Sequence, residues 1–117
     1  MTELTLPWPP SVNHYWLRNK NGSMRISAEG VSFRNRVQLI AKGCETLKGP
    51  VRVELEAWAP DRRVRDLDNI CKATLDALCS AGVIVDDVQV WDLRLCWKLD
   101  GDKKAIAGML KVKVMPL

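Results

Sequence analysis

Residues 51–69 read V-R-V-E-L-E-A-W-A-P-D-R-R-V-R-D-L-D-N, and this stretch decides the fold because a strand pattern meets a helix start within it. In its first half, every second residue is apolar: Val51, Val53, Leu55 and Ala57. A two-residue period is typical of a strand with one buried face. Pro60 ends the pattern because proline lacks the N–H that a strand ladder needs. The charged run after it is therefore predicted to be a loop.

Helical patterns lie on both sides of this strand. Downstream, apolar residues recur three and four positions apart from Leu67 until Gly82 interrupts them. Upstream, Ser27 is a suitable N-cap for another helix, whose apolar positions begin at Phe33. That helix is predicted to end near residues 49–50, where a glycine is followed by a proline.

Alternation predicts three further strands, at residues 3–6, 91–98 and 110–114, with a D-G-D turn at residues 100–102 before the last of them. The order is strand, loop, helix, strand, helix, strand, strand. It predicts an α/β (α+β) fold, with two main helices on one mixed β-sheet. Because 117 residues, 47% of them hydrophobic, suffice for one core only, we expect a single small domain over residues 1–117.

The composition narrows the class of protein. Eighteen Lys and Arg residues against 14 Asp and Glu give a net charge of +4 and a pI near 9.0, which favours anionic partners. The four cysteines form no C-x-x-C pair and His14 is the only histidine, which argues against a structural zinc site. No signal peptide and no long apolar run is present, so we expect a cytoplasmic protein without a membrane partner. A nucleotide cofactor is not expected either.

Carboxylates in and after the charged loop have the composition of a magnesium site. Asp66 and Asp68 are two residues apart at the predicted loop-to-helix boundary, so both side chains can share a cation. Asp87 lies 19 residues after Asp68, and the sequence permits the chain to return there. Mg²⁺ takes hard oxygen ligands and keeps several waters, which a substrate phosphate can replace. We therefore predict that Asp66, Asp68 and Asp87 bind Mg²⁺, for which Mn²⁺ is a possible substitute.

Lys72 lies one helical turn after Asp68, where its ammonium group could reach the same site and stabilise developing negative charge. In that position it would hold a phosphate oxygen or stabilise that charge beside the carboxylates. Simpler interpretations stay open from spacing alone. Asp66 or Asp68 could cap the helix, Asp68 and Lys72 could form a surface ion pair, and residues 86–87 could be a plain turn.

The loop also carries three arginines: Arg62, Arg63 and Arg65. We expect them to bind the phosphates of a polyanion beside the carboxylates. The alternative is a solvated loop in which the arginines pair with their own acidic neighbours.

A second cationic segment precedes the first helix. Residues 19–23 (N-K-N-G-S) are a strong turn signal, so we expect a mobile basic hairpin there, within an otherwise loop-like stretch at residues 11–25. Its cations are predicted to contact DNA: Arg18, Lys20 and Arg25. Trp8 and Trp16 lie in irregular polar surroundings, where they could stack on exposed bases or belong to the core.

Five motifs stand in a characteristic order along the chain. They are residues 6–13 (L-P-W-P-P-S-V-N), 27–30 (S-A-E-G), 60–69 (P-D-R-R-V-R-D-L-D-N), Lys72 and residues 86–90 (D-D-V-Q-V). Together they resemble the RusA family of Holliday junction resolvases, over nearly the whole chain. The combination of D-x-D-N, a following lysine and a later D-D corner is more specific than any single motif.

The resemblance implies a RusA-like fold and a homodimeric, magnesium-dependent endonuclease of bacteria and phages. Such an enzyme nicks a four-way DNA junction at two symmetrically placed phosphates, and a twofold protein suits that twofold substrate. By position, Asp66, Asp68 and Asp87 match the family's catalytic acidic triad, and Lys72 its catalytic lysine. Asp86 matches a neighbouring accessory position.

Two other functions fit the same residues. A flap or branched-DNA nuclease of broader substrate range would use the same carboxylates. A non-catalytic basic DNA-binding module would bind through charge alone, without cutting a strand when Mg²⁺ is added.

Overall fold

The computed structural model describes residues 1–98 and 108–117. In chain order the elements are β1 (Thr2–Pro7), α1 (Val12–Tyr15), β2 (Trp16–Arg18), β3 (Met24–Ile26), α2 (Ala28–Ile40), β4 (Val51–Trp58), α3 (Cys71–Ser80), β5 (Val90–Trp97) and β6 (Met109–Pro116). Two 3₁₀ turns flank α3, at Leu67–Ile70 and Asp87–Gln89. Within the described ranges, every helix is too short or too polar to cross a bilayer.

Four strands form one sheet in the order β1-β6-β4-β5. The pairs β1–β6 and β6–β4 are antiparallel, whereas β4 and β5 are parallel, with Val53 opposite Leu93 and Leu55 opposite Leu95. The sheet is therefore mixed, and the predicted α+β fold class is confirmed. β1 and β5 are its two edge strands.

The core lies between one face of the sheet and the two longer helices. The alternation that predicts β4 is observed, since Val51, Val53, Leu55 and Ala57 are all buried. Phe33 and Val37 of α2 pack against them together with Ala73, Ala77 and Leu78 of α3. The apolar stripes of the two helices thus cover a single sheet face.

Two predicted boundaries are wrong. The first long helix ends at Ile40, not near residues 49–50, because Gly43 takes a left-handed conformation at φ 87° and turns the chain. Leu47, which fits the helical spacing, instead forms a parallel bridge with Ile84. Residues 11–25 are not all loop, since α1 and a two-stranded hairpin of β2 and β3 lie there.

The other expected elements are present. Ser27 caps α2 by accepting a hydrogen bond from the Gly30 N–H at 3.0 Å. The strands predicted at 3–6, 91–98 and 110–114 correspond to β1, β5 and β6. The predicted D-G-D turn at residues 100–102 lies outside the described residues.

The connection from β4 to β5 positions the candidate site. Parallel neighbours require a crossover, and here the crossover contains α3. A crossover helix runs back along the sheet, so α3 begins at the carboxyl end of β4 and finishes near the amino end of β5. Side chains placed before and after α3 therefore lie at opposite ends of these strands.

Candidate active site

Asp61 organises the charged loop between β4 and α3. Its carboxylate lies 3.0 Å from Nη2 of Arg63 and 2.8 Å from Nη2 of Arg65, and it accepts a hydrogen bond from the Arg63 backbone N–H. The Arg63 side chain and then its N–H lower the pKa of Asp61 to about 2. Pairing with an acidic neighbour therefore occurs for two of the three arginines. The sequence signal was present in D-R-R-V-R, but the predicted site did not include Asp61.

The third arginine differs from the other two. Arg62 is exposed, and no ion pair joins it to any residue within 1–98 or 108–117. Its guanidinium is thus the cation of this loop that is ready for an external phosphate, whereas Arg63 and Arg65 would have to share their bonds with Asp61.

Aromatic contacts fix this loop at the carboxyl end of β5. The Arg65 guanidinium lies 5.7 Å from the centre of the Trp8 ring, and Trp8 stacks on Trp97 with ring centres 5.8 Å apart. A cleft of about 270 Å³ separates the loop from Trp97 and Lys98. Because Trp8 and Trp97 pack together, and Trp16 packs edge-on against Tyr15, this geometry favours a structural role for Trp8 and Trp16 over base stacking.

Asp66 and Asp68 come directly after the charged loop in the sequence, and both side chains are exposed. Asp66 occupies the N-cap position of the 3₁₀ turn Leu67–Ile70, yet its side chain makes no capping hydrogen bond. Among the described residues, neither carboxylate has a hydrogen-bond or ion-pair partner. The capping interpretation therefore fails for both, and the two exposed carboxylates stabilise no part of the chain that the structure describes.

Lys72 is exposed in the first turn of α3. Its ammonium forms no ion pair within 4.0 Å of a carboxylate in the described part of the chain, so the alternative of a surface pair with Asp68 is not observed. Burial, and then the nearby charge of Asp68, raise the pKa of the Cys71 thiol. Because the charge of Asp68 acts on Cys71, the first residue of α3, Asp68 and Lys72 lie at the same end of that helix.

A capping box holds the corner at Asp86 and Asp87. Asp86 caps the 3₁₀ turn Asp87–Gln89 by accepting from the Val88 N–H at 3.1 Å, while Gln89 accepts from the Asp86 N–H. That N–H of Val88, and then the side chain of Asp87, lower the pKa of Asp86. Asp86 therefore has a structural role as a cap, and Asp87 is the exposed carboxylate beside it.

The three predicted metal ligands do not meet within one chain. Burial, and then the charge of Asp87, raise the pKa of the Cys79 thiol, so Asp87 lies near the last turn of α3. Burial, and then the charge of Asp68, raise the pKa of the Cys71 thiol, so Asp68 lies near the first turn. The ten residues of α3 span about 15 Å. In the described ranges, no three His, Cys, Asp or Glu side chains are grouped to hold a metal ion.

The expectation that Asp66, Asp68 and Asp87 converge within a single chain is therefore wrong for this structure. The physical reason is the crossover, which starts at one end of the strands and returns at the other. Sequence spacing between residues 68 and 87 permits a return but does not reveal the direction of the intervening helix.

The predicted basic hairpin is formed by β2 and β3. Arg18 pairs with Met24 and Leu17 with Arg25, so Arg18 and Arg25 point to opposite faces of this ribbon. Lys20 is exposed in the connecting turn. These three cations do not share one face, and a DNA strand lying on one side of the hairpin would meet only part of the set.

Comparisons with known proteins identify the family. The model of the family described as endodeoxyribonuclease RusA matches residues 7–114. The chain is 50% identical over 95 residues to the crossover junction endodeoxyribonuclease of Enterobacteria phage 82, which is 79% of this chain and 78% of that protein. It is 48% identical over the same shares to the relative from Shigella sonnei, and 47% to that of Escherichia coli K12. The chain therefore belongs to the RusA family of endodeoxyribonucleases, as the order of its motifs predicted.

Proposed function

We propose that this protein is a junction-resolving endodeoxyribonuclease, which cuts two strands of like polarity in a four-way DNA junction. Relatives that are 47–50% identical over most of their length are named crossover junction endodeoxyribonucleases. The structural observation that supports it best is the pair of exposed carboxylates of Asp66 and Asp68, which have no partner within residues 1–98 and 108–117. They follow immediately on a loop that presents Arg62 to solvent.

The family implies a nuclease that depends on a divalent metal. We propose Mg²⁺ as that metal, with Mn²⁺ as a substitute, because carboxylate oxygens are the hard donors that both accept. The donor chemistry of Asp66, Asp68 and Asp87 fits, whereas the geometry of one chain does not bring the three together. When bound, such a metal supplies a hydroxide nucleophile at neutral pH and neutralises the phosphate.

The chain's own residues supply binding and charge. Arg62 binds a phosphate next to the scissile bond, and Arg65 holds the loop against Trp8 so that the position of Arg62 is fixed. Lys72, one turn into α3 and free of a carboxylate partner among the described residues, stabilises the charge that develops on the phosphate. The hairpin cations Arg18, Lys20 and Arg25 contact the DNA arms.

We also propose that residues 1–117 act as a single domain, as a homodimer, in the cytoplasm of a bacterium or of a phage-infected cell. Two chains related by a twofold axis present two equal sites to a junction that needs two equal cuts.

The test is cleavage of an end-labelled synthetic four-way junction by the purified protein, with and without Mg²⁺, beside flap and duplex DNA of the same sequence. Paired nicks at symmetric positions, seen only on the junction and only with the metal, are the expected result. Equal cleavage of the flap would favour a broader branched-DNA nuclease. Salt-sensitive binding without any cut strand would favour a basic binding module.

A further inference from the structure

A cleft of about 320 Å³ lies between the charged loop and the short helix α1. The loop contributes Arg63 and Arg65 to its lining. His14 of α1 and the N-cap residue Ser11 contribute hydrogen-bonding groups, and Trp8 adds an aromatic ring. A cleft of this size is at the lower end of the range for ligand sites, which suits one phosphate with its sugar.

The charge of this cleft favours an anion. Two guanidinium groups line it, and no carboxylate of the described residues does. Asp61 instead lines the cleft on the side of Trp97. Because Arg63 and Arg65 share this single carboxylate, the group of three keeps one net positive charge. A cationic lining of this kind attracts a phosphate.

The His14 ring offers a directed hydrogen-bond donor to this cleft. The Ser11 hydroxyl lies 3.0 Å from Nδ1 of the ring. When a hydroxyl donates to Nδ1, the neutral ring carries its hydrogen on Nε2. Nε2 forms no hydrogen bond with any residue in the ranges 1–98 and 108–117. It is thus the ring atom that can donate to a ligand.

Both walls of the cleft are held in place before a ligand binds. The His14 C=O accepts a hydrogen bond from the Ser27 hydroxyl at 2.6 Å, and Ser27 also caps α2. On the other side, Asp61 bonds to both arginines, and the Arg65 guanidinium lies 5.7 Å from the centre of the Trp8 ring. A preorganised site binds its ligand at a smaller entropic cost.

We propose that this cleft is a phosphate subsite that holds the DNA backbone beside the bond to be cut, with the His14 ring as its hydrogen-bond donor. The inference rests on the proposed nuclease function and adds a contact to it. Arg65 lines the cleft, and Asp66 is the next residue, about 3.8 Å away between Cα atoms. The phosphate in the cleft therefore neighbours a candidate metal ligand. The two arginines keep their bonds to Asp61 and act by charge, while Ser11 orients the ring.

The test measures binding to a synthetic four-way junction by the cleavage-inactive Asp66→Asn chain, with and without His14→Ala. In a series of junctions, one phosphate at a time near the branch point is replaced by an uncharged methylphosphonate. At one position, we expect the replacement to weaken binding by about tenfold, as the loss of a hydrogen bond to a charged group does. His14→Ala should weaken binding by a similar factor and make that position insensitive to the replacement, because both changes remove the same contact.

Asn35→Ala, on the exposed face of α2 and outside the cleft, is the control and should leave every position as sensitive as before. Independent losses from His14→Ala and from the methylphosphonate at every position overturn the subsite. A series in which no replacement weakens binding overturns it as well. If the coupling is present but the wild-type protein cuts no junction, the proposed nuclease function is wrong and the subsite stands.

A second measurement needs no substitution of the histidine. His14 is the only histidine of the chain, so untagged protein with ¹⁵N-labelled histidine gives the NMR signals of this one ring. We expect the Nε2 signal to shift when a short thymidine oligonucleotide is added to the Asp66→Asn protein. Ser11→Ala should reduce this response and change the ring tautomer, which the two nitrogen shifts report.

No shift of the Nε2 signal with the oligonucleotide overturns the contact. Inorganic phosphate, added at the same phosphate concentration, separates a DNA contact from a site for a free anion. A larger response to inorganic phosphate than to the oligonucleotide would assign the cleft to the free anion and would also overturn the proposal.

Discussion

At the scale of single residues, the carboxylates form two groups, those that bond within the folded chain and those that do not. Asp61 and Asp86 are held by bonds within their own segments, whereas Asp66 and Asp68 have none with the described residues. A charged group that contributes nothing to folding is available for a ligand. Sequence spacing could propose these residues but could not separate the cap from the candidate ligands, because capping depends on a side-chain rotamer.

Asp66→Asn and Asp68→Asn are therefore expected to abolish junction cleavage without weakening the fold. Neither substitution removes a contact with the described residues, so the free energy of unfolding should change by no more than about 0.5 kcal/mol. Junction binding should persist, because the cations are untouched. Urea denaturation, gel-shift titration and cleavage of labelled junctions measure the three quantities. Wild-type cleavage by either variant would remove that residue from the active site.

The pairing of Asp61 predicts a pH dependence in the acid range. Its pKa is lowered from 3.8 to about 2 in the folded chain, so the unfolded chain holds the proton more tightly. The stabilising effect is complete above pH 4 and is lost as the pH falls through about 2. An NMR titration of the Asp61 carboxyl carbon should give a midpoint near 2.

The same titration in an Arg63→Gln, Arg65→Gln double variant should move that midpoint back toward 3.8. Arg62→Gln, which removes an arginine outside the pair, is the control and should leave the midpoint in place. A midpoint near 3.8 in the wild-type protein would mean that the arginines do not hold Asp61 in solution.

At the scale of elements, local patterns predicted where strands and helices begin better than where they end. The S-A-E-G motif is explained by packing, since Ser27 caps α2 and a Cβ at Gly30 would lie 2.6 Å from the Ile26 side chain. The end of α2 was missed because its apolar spacing continues by chance beyond Gly43. The parallel pairing of β4 with β5 is a long-range contact, and no local pattern encodes it.

A partly buried polar cluster joins the three helices that support the site. The Tyr15 hydroxyl of α1 donates to Asp76 of α3, and Arg34 of α2 donates to that carboxylate at 2.7 Å and to the hydroxyl at 3.0 Å. Burial, and then the bond to Asp76, raise the pKa of Tyr15 well above its ordinary value. The cluster is thus expected to stabilise the packing of α3, which carries Lys72.

Tyr15→Phe should cost about 1 kcal/mol of unfolding free energy, because it removes one neutral hydroxyl from the network. Asp76→Ala should cost more, since it leaves a buried hydroxyl and a half-buried guanidinium without their shared acceptor. Asn35→Ala on the exposed face of α2 is the control and should have little effect. Denaturant titrations measure all three, and equal stability of Asp76→Ala and the control would exclude a structural role for the cluster.

At the scale of the whole molecule, the sequence predicted the class of fold, whereas the candidate site residues stay a prediction that depends on their match to the family's motifs. The motif residues could be matched one by one to the family. Whether they meet within one chain depends on the direction of α3, which is a property of the folded sheet. A net charge of +4 likewise predicts an anionic partner but does not say which cations remain unpaired.

The salt dependence of DNA binding tests which arginines contact the DNA. For a cleavage-inactive Asp66→Asn variant on a four-way junction, the logarithm of the binding constant should fall linearly with the logarithm of the salt concentration. Adding Arg62→Gln removes from each chain a cation that forms no ion pair with the described residues, so the slope should decrease by about one for each chain bound to the junction. Adding Arg63→Gln instead removes a cation already paired with Asp61, and should change the slope less. Equal changes from the two substitutions would mean that Arg63 leaves Asp61 and binds a DNA phosphate in the complex. The ion pairs of the free chain would then not determine which arginines contact the DNA.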